Sequence, residues 1–122
     1  MKDNYCRLKP SLIEGAGVGV FAIERIPKGI NPFPNCDAYL TPMSNSEFDK
    51  LSDEKKKMVR DFCYHSSGHW RVPQDFNRLD ISWYVNSSPN PNLFFDTTNG
   101  QYKTIRDIQV GEELTYDYVV YE

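Results

Sequence analysis

Short apolar runs broken by proline and glycine fill the first third of the chain. Residues 1–42 carry five prolines and four glycines between β-branched or aromatic stretches such as Val18-Gly-Val-Phe-Ala-Ile23, which predicts short strands and turns rather than helix. At Ser44 the pattern changes. Phe48, Leu51, Met58 and Phe62 keep a helical stripe, Ser44 with Glu47 three residues on makes a capping box, and Ser52 suits the cap of a second helix, so a helical insert is expected over about 44–65. From residue 81 onward, apolar and aromatic runs at 81–85, 93–95 and 119–121 alternate with Pro, Asn and Gly, and these are again read as strands. The order is strands, a small helical insert, then strands, with no internal repeat evident.

Composition narrows the class. A chain of 122 residues, 39% hydrophobic and 25% charged, is expected to fold as one domain over 1–122. No run approaches the roughly 20 apolar residues of a membrane helix, and the start Met1-Lys2-Asp3-Asn4 lacks the apolar stretch of a secretory signal. An intracellular setting, cytoplasmic or nuclear, is therefore expected. The three cysteines, at 6, 36 and 63, are too few for a disulfide framework. A net charge of −3 and a pI near 5.4 argue against direct nucleic-acid binding, which needs clustered Lys and Arg.

Several segments carry candidate chemistry. Gly15-Ala-Gly17-Val-Gly19 suits either close backbone approach to a ligand or a tight hairpin with none. It is not a dinucleotide fingerprint, because Pro27 follows too soon for a helix to begin after it. Asn86-Ser-Ser-Pro-Asn-Pro-Asn92 reads as a multi-turn loop that ends the preceding strand, or as a set of rigid amides facing a heteroatom-rich ligand. Cys63, His65 and His69 offer three obvious zinc ligands where structural zinc takes four, so no metal is assigned. Lys55-Lys-Lys57 lies among Asp53, Glu54 and Asp61 and reads as a solvated helix face. After Arg106 the chain holds no Lys or Arg, while Asp107, Glu112, Glu113, Asp117 and Glu122 form a solvated edge or an acidic groove for a basic tail.

The closing segment Gly111-Glu-Glu-Leu-Thr-Tyr-Asp-Tyr118, preceded by Ile105-Arg-Asp-Ile108, resembles the terminal motif of the SET-domain family of protein lysine methyltransferases. Gly17-Val-Gly19-Val-Phe-Ala22 with Ile26-Pro-Lys-Gly29 resembles that family's first motif, and Asn86 to Asn92 resembles its Asn-His-Ser-Cys-x-Pro-Asn segment. Here Ser87 replaces the usual His and Pro89 the usual Cys, and Phe33 or Tyr39 stands in for a tyrosine after the second strand. The short length is similar to that of the smallest viral and bacterial members, so a domain without zinc-binding flanks is expected.

The resemblance implies a mainly β fold of the β-clip type, several small curved sheets with a C-terminal pseudoknot and a short helical insert. It also implies S-adenosylmethionine as cofactor, held by Gly17, Val18, Gly19, Asn86 and the Ser87 backbone, with Tyr84 along the same wall. Tyr118 matches the family's catalytic tyrosine and Tyr116 the position that tunes the number of methyl groups. The expected partner is a protein with a Lys/Arg-rich segment, a histone tail above all, and a homodimer is one expected assembly. The alternatives are a SET-like pseudoenzyme, through the changes at Ser87 and Pro89, or an aromatic-cage reader of methyl-lysine built from eight Tyr, seven Phe and two Trp.

Overall fold

The computed structural model describes residues 1–36, 40–96 and 98–118. Tyr39 and the strand read at 119–121 lie outside the described residues. In chain order the elements are β1 (Cys6–Pro10), β2 (Val18–Ala22), β3 (Leu40–Ser44), α1 (Asn45–Asp49), α2 (Asp53–Phe62), β4 (Tyr64–Ser66), β5 (His69–Pro73), 3-10 turns at Phe76–Arg78 and Ile81–Tyr84, β6 (Asn86–Ser87), β7 (Leu93–Asp96), β8 (Gln101–Thr104) and β9 (Glu113–Tyr116). They gather in two compact units, Met1–Asp37 with Asp80–Glu122, and Ala38–Leu79.

The first unit is built on a four-stranded sheet of order β1-β2-β9-β6 and a β7-β8 hairpin. Strand β9, late in the sequence, sits antiparallel to β2 and parallel to β6. Asn86 and Ser87 thus pair with Thr115 and Tyr116, so the segment expected to end a strand opens with one. The run at 81–85, expected as a strand, is instead a 3-10 turn. Asp80 caps it by accepting from Ser82 N at 2.9 Å, a local bond that competes with sheet pairing.

A repeat that the sequence reading passed over organises this unit. Ala22-Ile-Glu-Arg-Ile-Pro-Lys-Gly29 and Thr104-Ile-Arg-Asp-Ile-Gln-Val-Gly111 leave β2 and β8 along the same course of bend, bridge and turn. Ile26 and Ile108 form an antiparallel bridge, each N–H donating to the other's carbonyl at 2.8 Å. Gly29 N donates to Thr104 O at 3.0 Å and Gly111 N to Ala22 O at 2.9 Å, while Ala22 N bonds Glu112 O and Thr104 N bonds Ile30 O. The two glycines need their freedom here, since both sit at positive φ, 83° and 90°. Ile26 and Ile108 are wholly buried, as are Val20, Leu93 and Leu114 to within 1%, and full burial of such a side chain stabilises by about 1.5–3 kcal/mol.

The second unit holds the helices. Ser44 Oγ accepts from Glu47 N at 3.0 Å and Glu47 reaches back to Ser44 N, the expected capping box. Ser52 caps α2 through Lys55 N. The helical reading over 44–65 runs too long: α2 ends at Phe62, and Tyr64–Ser66 is the first strand of a hairpin with β5. The hairpin turns through Ser67 and Gly68, at φ 54° and 78°, the paired positive φ that a right-twisted two-residue turn requires. The residue that α2 buries is Val59, whereas Phe62 is exposed. No helix among the described residues is long and apolar enough to cross a membrane.

Candidate functional site

Five aromatic rings meet edge to face in the first unit. The β7-β8 register sets Phe95 opposite Tyr102, with ring centroids 5.4 Å apart. Tyr102 also meets Phe33 at 6.1 Å and Tyr116 at 5.4 Å, and Tyr116 meets Tyr118 at 5.1 Å. Phe33 and Tyr116 are each 6% exposed and Tyr118 is 42% exposed, so the rings run from the interior outward. Perpendicular contacts of this kind fix ring orientation as well as burying area.

Tyr118 ends the series with its hydroxyl turned inward. That hydroxyl donates to Val85 O at 2.5 Å and lies 3.5 Å from Tyr102 Oη. Burial raises its pKa above the ordinary 10.0, with Tyr102 opposing more weakly. The group is therefore a neutral phenol at physiological pH: its proton is committed to Val85, and an oxygen lone pair is left to accept. The Tyr118 N–H donates to Ser87 Oγ at 3.3 Å, which ties this end of the ring series to β6.

The second part of the site lies where the β1-β2 loop meets β6. The loop closes on itself through Ser11 N to Gly17 O at 2.7 Å, and Gly17 takes a φ of 76°. Asn86 Nδ2 donates to Val18 O at 2.9 Å and to Glu113 Oε2 at 3.1 Å. Gly19 is needed for packing, since a Cβ there would collide with the Glu113 carboxylate and come within 3.2 Å of Asn86 Nδ2. Its missing side chain thus makes room for the protein's own carboxylate rather than directly for a ligand.

Among the described residues strand β6 is an edge strand, and its ladder to β9 leaves one residue unused. Ser88 N donates to Tyr116 O, so by the two-residue alternation of a strand Ser87 turns its N–H and C=O away from β9. A planar heteroatom edge fits that donor–acceptor pair. A ligand ammonium fits Asn86 Oδ1, which receives no hydrogen bond among the described residues.

Of the residues expected from the sequence, Val18, Gly19, Asn86 and Ser87 come together here, and Gly17 closes the loop behind them. Tyr116 and Tyr118 join through β9 and Ser87. Tyr84 ends the 3-10 turn and packs on the hydrophobic core. Phe95 and Tyr102 were missed, though their alternation along a hairpin was an available signal; Asn92 and Glu113 lay inside the quoted segments, but their bonding roles did not show because their partners lie far off in sequence. Asn92 is 3% exposed; its amide donates to Glu113 O and accepts from Thr115 N, both at 2.8 Å.

Of the acidic edge, Glu122 lies outside the described residues, and the described part is not a single-sign surface. Asp107 pairs with Arg25 at 2.7 Å, Glu112 with Arg106 at 2.9 Å, and Glu113 is spent on neutral donors. In the second unit, His65 Nε2 meets Asn45 Oδ1 at 2.8 Å and its ring stands against Trp70. Among the described residues no group of three or more His, Cys, Asp or Glu gathers to hold a metal ion. Lys57 pairs with Asp61 one turn on, while Lys56 and Arg60 lie over the Phe48 ring at 5.9 and 5.8 Å.

Residues 17–119 match the family model described as SET domain. Among solved structures, the chain is similar to a humanised Chaetomium thermophilum Polycomb Repressive Complex 2 bound to an inhibitor, with TM-score 0.62 and 22% identity over 93% of this chain and 14% of that one. It is also similar to a Plasmodium falciparum histone methyltransferase candidate, with TM-score 0.56 and 18% identity over 94% and 93% of the two chains. The chain thus spans about a seventh of the Polycomb chain it matches. No curated protein matches it significantly.

Proposed function

The chain belongs to the SET domain family, a family of protein lysine methyltransferases, and from that premise we propose that it methylates lysine side chains of a protein, with S-adenosylmethionine as donor and a histone tail as the substrate class. The observation that carries the reading is the junction at β6, where the outward edge of Asn86 and Ser87 adjoins Tyr118 and the aromatic series. Asn86 Oδ1 suits the cofactor's ammonium and the Ser87 backbone its adenine edge. When bound, the cofactor supplies a methyl group already activated on a sulfonium.

What remains for the protein is positioning and deprotonation. A lysine ammonium entering along apolar rings loses hydration, which favours the neutral amine. Tyr118 keeps its proton on Val85 O and so offers its oxygen as acceptor to an amine N–H. With one N–H held there, the nitrogen lone pair is aimed elsewhere, and such alignment is where proximity acts. A phenol whose pKa is raised is no base at neutral pH, so Tyr118 orients the amine rather than taking its proton.

The test is transfer of a radiolabelled methyl group to a panel of histones and other basic proteins, with Tyr118→Phe as control. Removing the hydroxyl should lower the rate by roughly 10- to 100-fold while cofactor binding persists, as expected when a reacting group is misplaced. Full activity in Tyr118→Phe would remove the role. Cofactor binding with no labelling of any substrate would favour the pseudoenzyme, and methyl-lysine binding without cofactor binding would favour the cage reader.

A further inference from the structure

Glu113 is the least expected member of the site. It opens β9 opposite Phe21, and both of its carboxylate oxygens are in use. Oε1 accepts from Ser11 Oγ and Leu12 N, each at 3.0 Å, and Oε2 accepts from Ser11 Oγ at 2.8 Å and Asn86 Nδ2 at 3.1 Å. Every one of these donors is neutral. Among the described residues no Lys or Arg forms an ion pair with Glu113, unlike Asp96, Asp107 and Glu112. Ser11 and Leu12 precede the segment matched to the family model, so this carboxylate is held by a part of the chain that the family match does not cover.

The Asn86 amide has two possible orientations, and its neighbours choose one. Val18 O and an ionised Glu113 carboxylate can only accept, so both hydrogens of Nδ2 must face them. The carbonyl oxygen is then the only polar atom of the amide left to a ligand. The Glu113 charge, which no cation among the described residues neutralises, lies one hydrogen bond behind it. A ligand ammonium is attracted to this arrangement and a carboxylate is repelled.

We infer that Glu113 is a positioning residue, which locks the Asn86 amide with its oxygen outward and pins the Ser11–Gly17 loop beside it, and so makes the site selective for a ligand ammonium. The inference rests on the reading of this site as one for S-adenosylmethionine. In Glu113→Gln the new amide turns either its NH2 toward Asn86 Nδ2, donor against donor, or its NH2 toward Ser11 and Leu12. Either way one set of bonds fails and Asn86 loses its fixed polarity. Glu113→Asp keeps the charge but withdraws it by one methylene.

The test is calorimetric binding of two probes, S-adenosylhomocysteine and its analogue without the α-amino group. The wild type should prefer the first by tenfold or more. In Glu113→Gln the affinity for S-adenosylhomocysteine should fall about tenfold, one charge-assisted hydrogen bond's worth, while that for the analogue changes less than threefold, so the ratio collapses. Glu113→Asp should lose part of the ratio and carries the test if the glutamine variant does not fold. Equal weakening of both probes would show mere structural support and overturn the inference, as would an unchanged ratio in both variants. A wild type that binds neither probe would overturn the cofactor reading, and this inference with it; a wild type that binds both equally would overturn this inference alone.

Discussion

Both polar atoms of the Asn92 amide are spent on the backbone of β9, at Glu113 O and Thr115 N. One side chain thereby does for β9 what a further strand would do, on the stretch that carries Glu113 and leads to Tyr116. In Asn92→Ala a buried donor and a half-buried acceptor lose their partner, at about 1–3 kcal/mol for each group left unsatisfied. Urea denaturation should show a loss of at least about 2 kcal/mol. Asn92→Asp should be no better, because its carboxylate still accepts from Thr115 N but opposes Glu113 O. Tyr116 predicts a different phenotype. It is a core residue, 6% exposed, standing edge-on to both Tyr102 and Tyr118, so Tyr116→Phe keeps the packing and removes only an oxygen. If Tyr116 narrows the lysine channel and keeps an ordered water beside the nitrogen, the wild type stops mainly at mono- and dimethyl-lysine and Tyr116→Phe moves on to trimethyl-lysine. Mass spectrometry of a methylated peptide decides this, and an unchanged product distribution would leave Tyr116 a packing residue.

Among the elements, Thr104 is where the two related segments meet. It is 1% exposed; its hydroxyl donates to Pro27 O at 2.7 Å and accepts from Ile30 N at 3.1 Å. Thr104→Val preserves shape and removes both bonds, so it should destabilise by about 1–3 kcal/mol in thermal or urea unfolding. A neutral result would mean that water takes over both groups. The same region shows what a linear reading can reach. The capping box at Ser44 and the cap at Ser52 were legible because each is a bond between residues three apart. The β4-β5 hairpin carried a local signal in Ser67-Gly68, but the helical stripe running to Phe62 hid it. The 3-10 turn at Ile81–Tyr84 defeated the reading because four apolar or aromatic residues around Ser82 suit a strand or a turn equally, and the Asp80 cap decides. The reciprocal bonds between Gly29 and Thr104 and between Gly111 and Ala22 were out of reach, since a spacing of Ile, Ile and Gly repeated once is too thin a pattern to announce itself. At the candidate site, the motif order pointed to Asn86, Ser87 and Tyr118, but not to the hydrogen bond between Asn86 and the Glu113 carboxylate.

For the molecule as a whole, titrating groups set the pH range in which it is stable, and the two edges have different causes. On the acid side, Asp107 is held below the ordinary carboxylate value of 3.8 first by the Lys28 backbone N–H and then by Arg25. Asp96 is held down first by the Asn99 side chain. A lowered folded value gives stability that is present above the unfolded value and lost as pH falls through the folded one, so both act only in strong acid. On the alkaline side stand the three thiols. Burial, then the neighbouring Cys36, pushes Cys6 from 9.0 to about 12. Burial, then Asp80, pushes Cys36 from 9.0 to about 11, and burial alone pushes Cys63 from 9.0 to about 12. A raised folded value works in the opposite sense: the unfolded chain releases its protons near pH 9.0 while the folded protein retains them. The stabilisation is complete below that value and is lost as pH rises toward the folded ones. Under reducing conditions the urea midpoint should be flat from neutral pH to about 8 and fall between about 9 and 10. In a variant with Cys6→Ala, Cys36→Ala and Cys63→Ala the level is set lower by lost packing, but the alkaline slope should flatten. A slope as steep in that variant as in the wild type would assign the alkaline edge to other groups, Tyr118 first among them, since burial raises its hydroxyl as well.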